Sequence, residues 1–146
     1  GLRSASTMDL DAGGTINDNG SGIFLNSAGS MNIDAALGIG TGGNPLGVVV
    51  GAVLNANTTG AGADIFVDSN NFLVAVLAST VDGSIDIRTT GGTLLAANVT
   101  AGGIGRNVTL DSGGSIQLDN VPAVVAGVDG RKVLAQPHSD VGVRQA

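Results

Sequence analysis

The sequence predicts an all-β protein and, within that class, a parallel β-helix, which is a solenoid made of coils of roughly 20 residues. The first observation is composition: the 146 residues include 25 Gly, and all twelve acidic residues are Asp, so the helix-favouring Glu is absent. The second is that short segments rich in Val, Ile and Thr alternate apolar and polar residues, as strands do. The third is a degenerate sequence unit that recurs about every 20 residues.

The repeated unit begins with an apolar residue, continues with Asp or Asn and small residues, and returns to an apolar residue after a corner. Copies lie at residues 10–16, 25–33, 67–73, 87–95 and 110–118. The step from 25 to 67 is close to two periods, so a skipped unit is expected around residues 48–54. In a parallel β-helix, equivalent positions stack about 4.8 Å apart, which selects similar residues at each level. The repetition therefore favours the β-helix, and an antiparallel β-sandwich is the alternative.

Glycines mark the expected corners between the two short strands of each unit. The sequences Asp-Ala-Gly-Gly and Asp-Ser-Gly-Gly supply residues that adopt a positive φ without a Cβ clash. We therefore predict structural corners at Gly13, Gly14, Gly29, Gly91, Gly92, Gly113 and Gly114.

The alternation also predicts which side chains face the interior, because successive residues of a strand point to opposite faces. The side chains expected to point inward are those of Ile16, Leu25, Ile33, Ile85, Ile87, Val108, Leu110, Ile116 and Leu118. Those expected to be exposed are Asp11, Arg88, Asp111 and Gln117.

The length fits one domain, with polar segments at both ends. Residues 1–7 are interpreted as a polar lead-in, residues 8–120 as the β-helix repeat domain and residues 121–146 as a polar C-terminal tail. The repeat domain is expected to contain an irregular excursion near residues 37–63, where Gly is frequent and Pro45 interrupts the pattern. The tail is expected to be extended or to pack along the outside of the solenoid.

Two segments carry a family resemblance. Residues 85–105 (IDIRTTGGTLLAANVTAGGIG) and 107–120 (NVTLDSGGSIQLDN) resemble the repeats of filamentous-haemagglutinin-type adhesins and other large bacterial surface proteins. The resemblance covers residues 8–120 with gaps and is strongest over 84–120. It implies a right-handed parallel β-helix and export to the bacterial surface by an autotransporter or two-partner route.

Composition excludes several classes of function. The chain has no Cys and one His, which excludes disulfide scaffolds, Cys-ligated metals and multi-histidine sites. A net charge of −6 and only three aromatic residues disfavour nucleic-acid binding. The longest apolar stretch, residues 46–54, is shorter than the ~20 residues of a membrane helix. We therefore expect neither a nucleic-acid partner nor a membrane span.

One segment suggests a metal site and three suggest a modification. Residues 60–66 fit a single copy of the calcium-binding nonapeptide of RTX β-rolls, whose stacked turns donate carboxylates and carbonyls. Asp64 and Asp68 are therefore calcium candidates, with an ordinary solenoid corner as the competing interpretation. N-x-S/T sequons place candidate glycosylation sites at Asn57, Asn98 and Asn107. No catalytic residue and no organic cofactor are expected.

These features predict a non-enzymatic structural segment of an exported bacterial surface or extracellular-matrix protein, which forms a rigid rod or filament used in adhesion or assembly. The expected partners are other copies or neighbouring repeats of a longer chain, together with a host or cell-surface glycan or protein. Two alternatives stay open. One is a carbohydrate-active β-helix or tailspike-like protein, which the scarcity of sugar-stacking aromatics disfavours. The other is a calcium-stabilised RTX-type module.

Overall fold

The computed structural model describes residues 1–18, 20 and 25–119, together with the backbone of three further strands at 124–125, 133–137 and 141–143. Over these residues the chain is all-β and contains no helix. Parallel strands stack as a β-solenoid with coils of about 23 residues. The predicted fold class is confirmed, and the coils are slightly longer than the expected 20 residues.

Seventeen short strands make up the described chain. In chain order they are β1 (Arg3–Ser4), β2 (Met8–Ala12), β3 (Thr15–Ile16), β4 (Leu25–Ser27), β5 (Met31–Ala35), β6 (Gly38–Ile39), β7 (Leu46–Val50), β8 (Val53–Ala61), β9 (Ile65–Ser69), β10 (Leu73–Asp82), β11 (Ile85–Thr89), β12 (Leu94–Ala101), β13 (Val108–Ser112), β14 (Ile116–Leu118), β15 (Val124–Val125), β16 (Val133–Pro137) and β17 (Val141–Val143).

The strands form two parallel sheets, which we call sheet A and sheet B. Sheet A has the order β1-β4-β7-β9-β11-β13-β16, with β3 and β6 at its side. Sheet B has the order β2-β5-β8-β10-β12-β14-β17, with β15 beside β12. Consecutive coils therefore place one strand in each sheet, and the inner strands of each order pair with the equivalent strands one coil before and one coil after them. This is the strand order of a solenoid and not of a sandwich.

The core lies between the two sheets and follows the predicted alternation. In sheet A, Ile85 lies opposite Ile65 and Val108, and all three side chains are buried. Neighbouring Asp86 and Thr109 are more exposed than Ile85 and Leu110, so the predicted register is correct. Of the nine residues expected to point inward, six are fully buried: Ile33, Ile85, Ile87, Val108, Leu110 and Ile116.

The other predicted inward residues pack against this core from its edges and are partly buried: Ile16, Leu25 and Leu118. Among the residues expected outside, Asp11 and Arg88 are exposed, whereas Asp111 and Gln117 are partly covered. Inward and outward positions are therefore separated as expected, and burial decreases toward the ends of the stack.

The sequence units correspond to the coils with one exception. The units that begin at residues 25, 67, 87 and 110 lie in sheet A, on β4, β9, β11 and β13. The unit that begins at residue 10 lies on β2 in sheet B, so its step of 15 residues to the next unit is not a coil. The skipped unit corresponds to the coil of β7 and β8. Both sheets use similar corner sequences, which is why the sequence alone does not separate them.

Sheet A has short interruptions, and sheet B has register shifts along β10. In sheet A, β9 pairs with both β6 and β7. These two strands therefore form a single rung of the sheet, which is interrupted at residues 40–45. Residues 46–61, which fall within the excursion expected near 37–63, form the regular strands β7 and β8. After β3, the described residues 17, 18 and 20 are also outside the strands of sheet A.

The C-terminal tail takes part in the stack. Strand β16 pairs with β13, with Val133 opposite Val108, and β17 pairs with β14, with Val141 opposite Ile116. These strands add a further level to both sheets, which corrects the expectation that the whole tail is extended or lies along the outside. The rest of residues 121–146 lies outside the described part of the chain, apart from β15.

Corner glycines are required where adjacent coils approach closely. A Cβ on Gly113 would collide with the carbonyl oxygen of Thr90, and a Cβ on Gly114 with that of Gly92, one coil earlier. Gly92 alone among the seven predicted corner glycines has a positive φ, of 74°. The positive φ expected in Asp-Ala-Gly-Gly and Asp-Ser-Gly-Gly is therefore wrong for the four glycines of these sequences, and contact between coils is the reason for glycine at Gly113 and Gly114.

Buried hydroxyl groups complete several corners. The Ser27 Oγ donates to the carbonyl oxygens of Ser6, at 2.6 Å, and Ser30, at 2.8 Å. The Ser112 Oγ is similarly placed 2.9 Å from the Gly92 carbonyl oxygen and 3.2 Å from that of Ser115. Each hydroxyl thus links its own corner to the corner one coil earlier.

Candidate functional site

Two columns of mostly polar side chains cover the outer face of sheet B, and we call them the polar ladder. They arise because equivalent residues of stacked parallel strands lie directly opposite one another. The first column consists of Asp9, Asn32, Asn55, Leu77 and Asn98. The second column consists of Asp11, Asp34, Asn57, Ser79 and Thr100.

Side-chain hydrogen bonds connect the levels of the polar ladder. The Asn57 Nδ2 donates to the Asp34 Oδ1 at 3.0 Å, and the Ser79 Oγ donates to the Asn57 Oδ1 at 2.7 Å. Asn57 therefore bridges three consecutive levels. Nearer the N-terminus, the Asn32 Nδ2 donates to the Asp9 Oδ1 at 2.5 Å. Aligned amides of this kind reinforce stacked parallel strands.

A leucine interrupts the polar ladder. The side chain of Leu77 is 38% exposed and lies between Asn55 and Asn98 in a shallow groove of about 360 Å³. The groove is lined by Asn55, Asn57, Leu77, Ala78, Ser79, Asn98 and Thr100. Amides, hydroxyls and apolar groups can hold a polar ligand by hydrogen bonds, but none of them titrates near neutral pH.

Charged side chains line a second groove, of about 540 Å³, on the outer face of sheet A. Arg88 lies opposite Asp68 on one side and Asp111 on the other. It also binds Asp86 through two contacts, from Nη2 to Oδ2 at 2.7 Å and from Nε to Oδ1 at 3.0 Å. These hydrogen bonds raise the pKa of Arg88 above its ordinary value. Arg88 thus forms an ion pair with Asp86 on its own strand and lies between carboxylate residues of the two neighbouring levels.

The calcium candidates are not brought together. Asp64 and Asp68 lie on one extended segment, four residues apart, which separates them by about 13 Å. The Asp64 Oδ1 accepts a hydrogen bond of 2.7 Å from the Ser84 amide, whereas the buried Asp68 Oδ1 accepts none. Within the described residues, no group of three His, Cys, Asp or Glu side chains is placed to hold a metal ion. One ion therefore cannot bind both carboxylates at this spacing.

The three sequon asparagines differ in accessibility. Asn98 and Asn107 are exposed, Asn98 on β12 and Asn107 immediately before β13. Asn57 is partly buried, and its Nδ2 already donates to Asp34 and to the Asn55 Oδ1. The nitrogen that a glycan would modify is therefore engaged within the polar ladder at Asn57.

A second ion pair joins three coils at the corner that follows sheet B. The Arg106 Nε lies 2.8 Å from the Asp82 Oδ1, and the Asp82 Oδ2 accepts a hydrogen bond of 3.3 Å from the Gly62 amide. The hydrogen bond from Arg106 lowers the pKa of Asp82 below its ordinary value. The corner is thus held by an ionised carboxylate.

The N-terminal end of the solenoid exposes part of the apolar interior. Leu10, Ile16 and Leu25 are only partly buried there, and Leu2 is 53% exposed. A groove of about 500 Å³ runs between them and is lined by Gly1, Leu2, Leu10, Ile16, Asn17, Asp18, Leu25 and Leu46. Beside it, the Asn44 Nδ2 donates to the Asp18 Oδ1 and carbonyl oxygen, at 2.5 and 3.0 Å, and so joins the two interruptions of sheet A.

The sequence predicted neither the polar ladder nor the contact between Asp18 and Asn44, although it singled out the ladder residues Asp11, Asn57 and Asn98 for other reasons. A signal for the ladder was present, since Asp9, Asn32 and Asn55 follow one another at 23 residues, which is the coil length. The contact between Asp18 and Asn44 has no such signal in the sequence, because it joins two interruptions of sheet A whose sequences differ.

Comparison with protein-family models, with curated proteins and with solved structures found no match to this chain. Over the residues that the structure describes, no helix is long and apolar enough to cross a membrane.

Proposed function

We propose that the chain is a structural segment of an exported bacterial surface or extracellular-matrix protein, where it serves as a rigid spacer or filament unit in adhesion or assembly and carries out no catalysis. The observation that supports this proposal is the continuous parallel stack. Each sheet contains seven consecutive rungs, from β1 to β16 in sheet A and from β2 to β17 in sheet B. Such a stack transmits force along its axis through many backbone hydrogen bonds at once.

The outer surface suits a spacer that also makes contacts. The polar ladder and the charged residues Asp68, Arg88 and Asp111 extend along the axis over several levels. Their hydrogen-bonding groups are therefore spread over the surface and do not converge on one atom. Adhesion to glycans or proteins through repeated weak polar contacts would use this kind of surface. The resemblance of residues 84–120 to adhesin repeats supports the same proposal.

Tandem fusions of one, two and three copies test the rod. Seven rungs at about 4.8 Å predict that each added copy lengthens the particle by about 34 Å. Small-angle scattering should show a maximum dimension that increases linearly and a cross-section that stays constant. A dimension that levels off, as for globules on flexible linkers, would contradict a rigid spacer.

Localisation requires a separate measurement on the producing cells. An antibody raised against the chain should label intact cells or the surrounding matrix, and external protease should remove that label. Labelling that requires permeabilised cells would overturn the proposed location.

A further inference from the structure

The outer face of sheet B is uncharged over its middle levels. Strands β8, β10 and β12 together contain one charged residue, Asp82, at the C-terminal end of β10. By contrast, β2 exposes Asp9 and Asp11, and β11 of sheet A carries Asp86 and Arg88 on its outer face. In a chain with a net charge of −6, an uncharged surface of this extent favours a neutral ligand over a charged one.

Leu77 interrupts the column of amides on this face. Elsewhere in the polar ladder a side chain donates to the level before it, as Asn57 does to Asp34. The level of β10 has no amide in the first column, and Asn55 and Asn98 lie one level to either side of Leu77. Two rungs separate these asparagines by about 10 Å, which is too far for a direct hydrogen bond.

The two asparagines beside Leu77 retain unused donors. The Asn55 Oδ1 accepts a hydrogen bond of 3.2 Å from the Asn57 Nδ2, and the Asn98 Oδ1 accepts one of 3.0 Å from the Thr100 Oγ1. Within the residues that the structure describes, the Nδ2 groups of Asn55 and Asn98 donate to no other protein atom. Since each amide nitrogen carries two N–H groups, donors lie on both sides of an apolar floor.

A β-bulge turns Asn98 toward this groove. Ala96 of β12 is buried, and strict alternation would place Asn98 in the interior as well. The register between β10 and β12 shifts at this point, so that Leu77 pairs with Asn98 and not with Ala97. Asn98 is therefore exposed, and Val99 takes the buried position. Bulges of this kind re-aim side chains next to binding sites.

We propose that the groove around Leu77 binds a neutral oligosaccharide. Sugar rings have an apolar C–H face, which would lie on Leu77, and hydroxyl groups at their edges, which would accept hydrogen bonds from Asn55 and Asn98. Two sugar units span the two rungs between these amides. The groove has no aromatic or Arg side chain of the kind that anchors protein interfaces, so a protein partner is less favoured. This inference rests on the proposed function, because it names the ligand class of the adhesive surface.

Titration of the isotope-labelled chain with the neutral disaccharides cellobiose, maltose and lactose tests the groove. Nuclear magnetic resonance reports each side-chain amide separately. With at least one disaccharide, the amide signals of Asn55 and Asn98 should shift together and saturate at millimolar concentration. The amide signal of Asn32 is the internal control and should stay in place, because its Nδ2 already donates to Asp9.

Substitution of Leu77 by asparagine should close the groove. Leu77→Asn removes the apolar floor and supplies the missing amide of the column, so the fold is kept while the affinity for the disaccharide falls by about tenfold or more. Val81→Asn is the matched control, because Val81 is an exposed apolar residue of the same strand that lies outside the groove. Its affinity should equal that of the unaltered chain.

A second variant covers the case in which Leu77→Asn does not fold. Asn98→Asp keeps the shape and the acceptor for Thr100 but loses the N–H donors, and it should also weaken binding by about tenfold. Unchanged affinity in the folded variants, or no saturable shift with any of the three disaccharides, would overturn the proposal.

Two other results would assign the groove to a different occupant and so overturn the proposal. Amide shifts that depend on protein concentration without sugar would indicate a second copy of the chain. Shifts with sialyllactose but with no neutral disaccharide would indicate an anionic ligand. None of these results alters the linear lengthening of the tandem fusions or the labelling of cells, which test the spacer and its location.

Discussion

The middle levels of the solenoid and its N-terminal levels are built on the same two sheets but differ in regularity. In the middle, β9, β11 and β13 are uninterrupted five-residue strands that pair residue for residue. Their inward side chains stack like on like, as in the column of Val67, Ile87 and Leu110. In the N-terminal levels, sheet A is interrupted after β3 and between β6 and β7.

Different interactions stabilise the two regions. The middle levels rely on closed apolar packing, whereas corners that require glycine occur in both regions, at Gly113 against Thr90 and at Gly29 against Ser6. The N-terminal levels have a partly exposed core and are joined across their interruptions by the side-chain contact between Asp18 and Asn44. Stacking therefore selects similar residues only where the backbone continues without interruption, and elsewhere individual side-chain contacts take its place.

Truncation of a buried leucine should produce the largest difference between the regions. Leu110 is fully buried, so Leu110→Ala should lower the free energy of unfolding by ~2–5 kcal/mol. Leu10→Ala at the open end removes the same atoms from a partly exposed site, where no closed cavity forms, and should cost ~1–2 kcal/mol. Denaturant unfolding of both variants is the measurement. A loss below about 1 kcal/mol for Leu110→Ala, or equal losses for both, would contradict the contrast in packing.

Substitution of a corner glycine by alanine should give the next largest difference in stability between the two regions. Gly113→Ala places a methyl group against the Thr90 carbonyl and should cost ~1–3 kcal/mol through backbone displacement. Gly13 has no atom within 4 Å of the equivalent Cβ position, and its φ is not positive. Gly13→Ala should therefore be neutral or stabilise the fold by up to ~1 kcal/mol. Thermal melts of the two variants distinguish them, and a destabilised Gly13→Ala would show that the end is more crowded than the structure indicates.

Removal of the Asn57 side-chain amide, which connects the two regions, should lower the free energy of unfolding by a smaller amount. Asn57→Ala removes hydrogen bonds to Asp34 on the N-terminal side and to Ser79 on the other side, and should cost ~1 kcal/mol. Asn98→Ala is the control, because Asn98 accepts its hydrogen bond from Thr100 within the same strand. Urea unfolding should show a loss for Asn98→Ala less than half as large. Equal losses would mean that bridging between levels does not contribute to stability.

Loss of the ion pair between Asp82 and Arg106 at acid pH should have the smallest effect on stability. This pair lies in the middle levels. Because Arg106 lowers the folded pKa of Asp82, the pair stabilises the fold above the unfolded pKa of about 3.9. This stabilisation is lost as pH decreases through the lower folded pKa. Arg106→Gln should therefore lower the melting temperature slightly at pH 6 and leave it unchanged near pH 2. A difference from the unaltered chain that persists at pH 2 would assign the effect of Arg106 to packing rather than to charge.

The sequence contained enough information for the fold class and for the register of the regular coils. The alternation in Ile85 to Ile87 and Val108 to Leu110 requires one buried face, and a repeat of similar length requires equivalent levels. These are local properties, since a strand's period of two and a glycine's small size do not depend on distant residues. They explain why the prediction is most accurate where the coils are most regular.

Assignment of each strand to a sheet, and the contacts between coils, depended on the tertiary structure. The corner sequences after residues 10 and 110 are nearly the same, yet one lies in sheet B and the other in sheet A. A corner sequence indicates that the chain turns, but it does not indicate to which sheet the adjoining strand belongs. For the same reason the glycine requirement at Gly113 comes from Thr90, 23 residues away, and not from its own φ.

The sequence by itself therefore determined that this protein is an all-β stack whose regular strands, such as β11 and β13, have one apolar and one polar face, because side-chain periodicity and corner residues act locally. Only the tertiary structure decided which side chains meet across coils. These contacts are the hydrogen bonds of Asn57 to neighbouring levels, the ion pair of Asp82 with Arg106, and the hydrogen bond of Asn44 to Asp18. Their separations of 22 to 26 residues depend on the exact length of each coil, and these lengths vary with every interruption. A sequence pattern that tolerates such variation cannot fix those pairings.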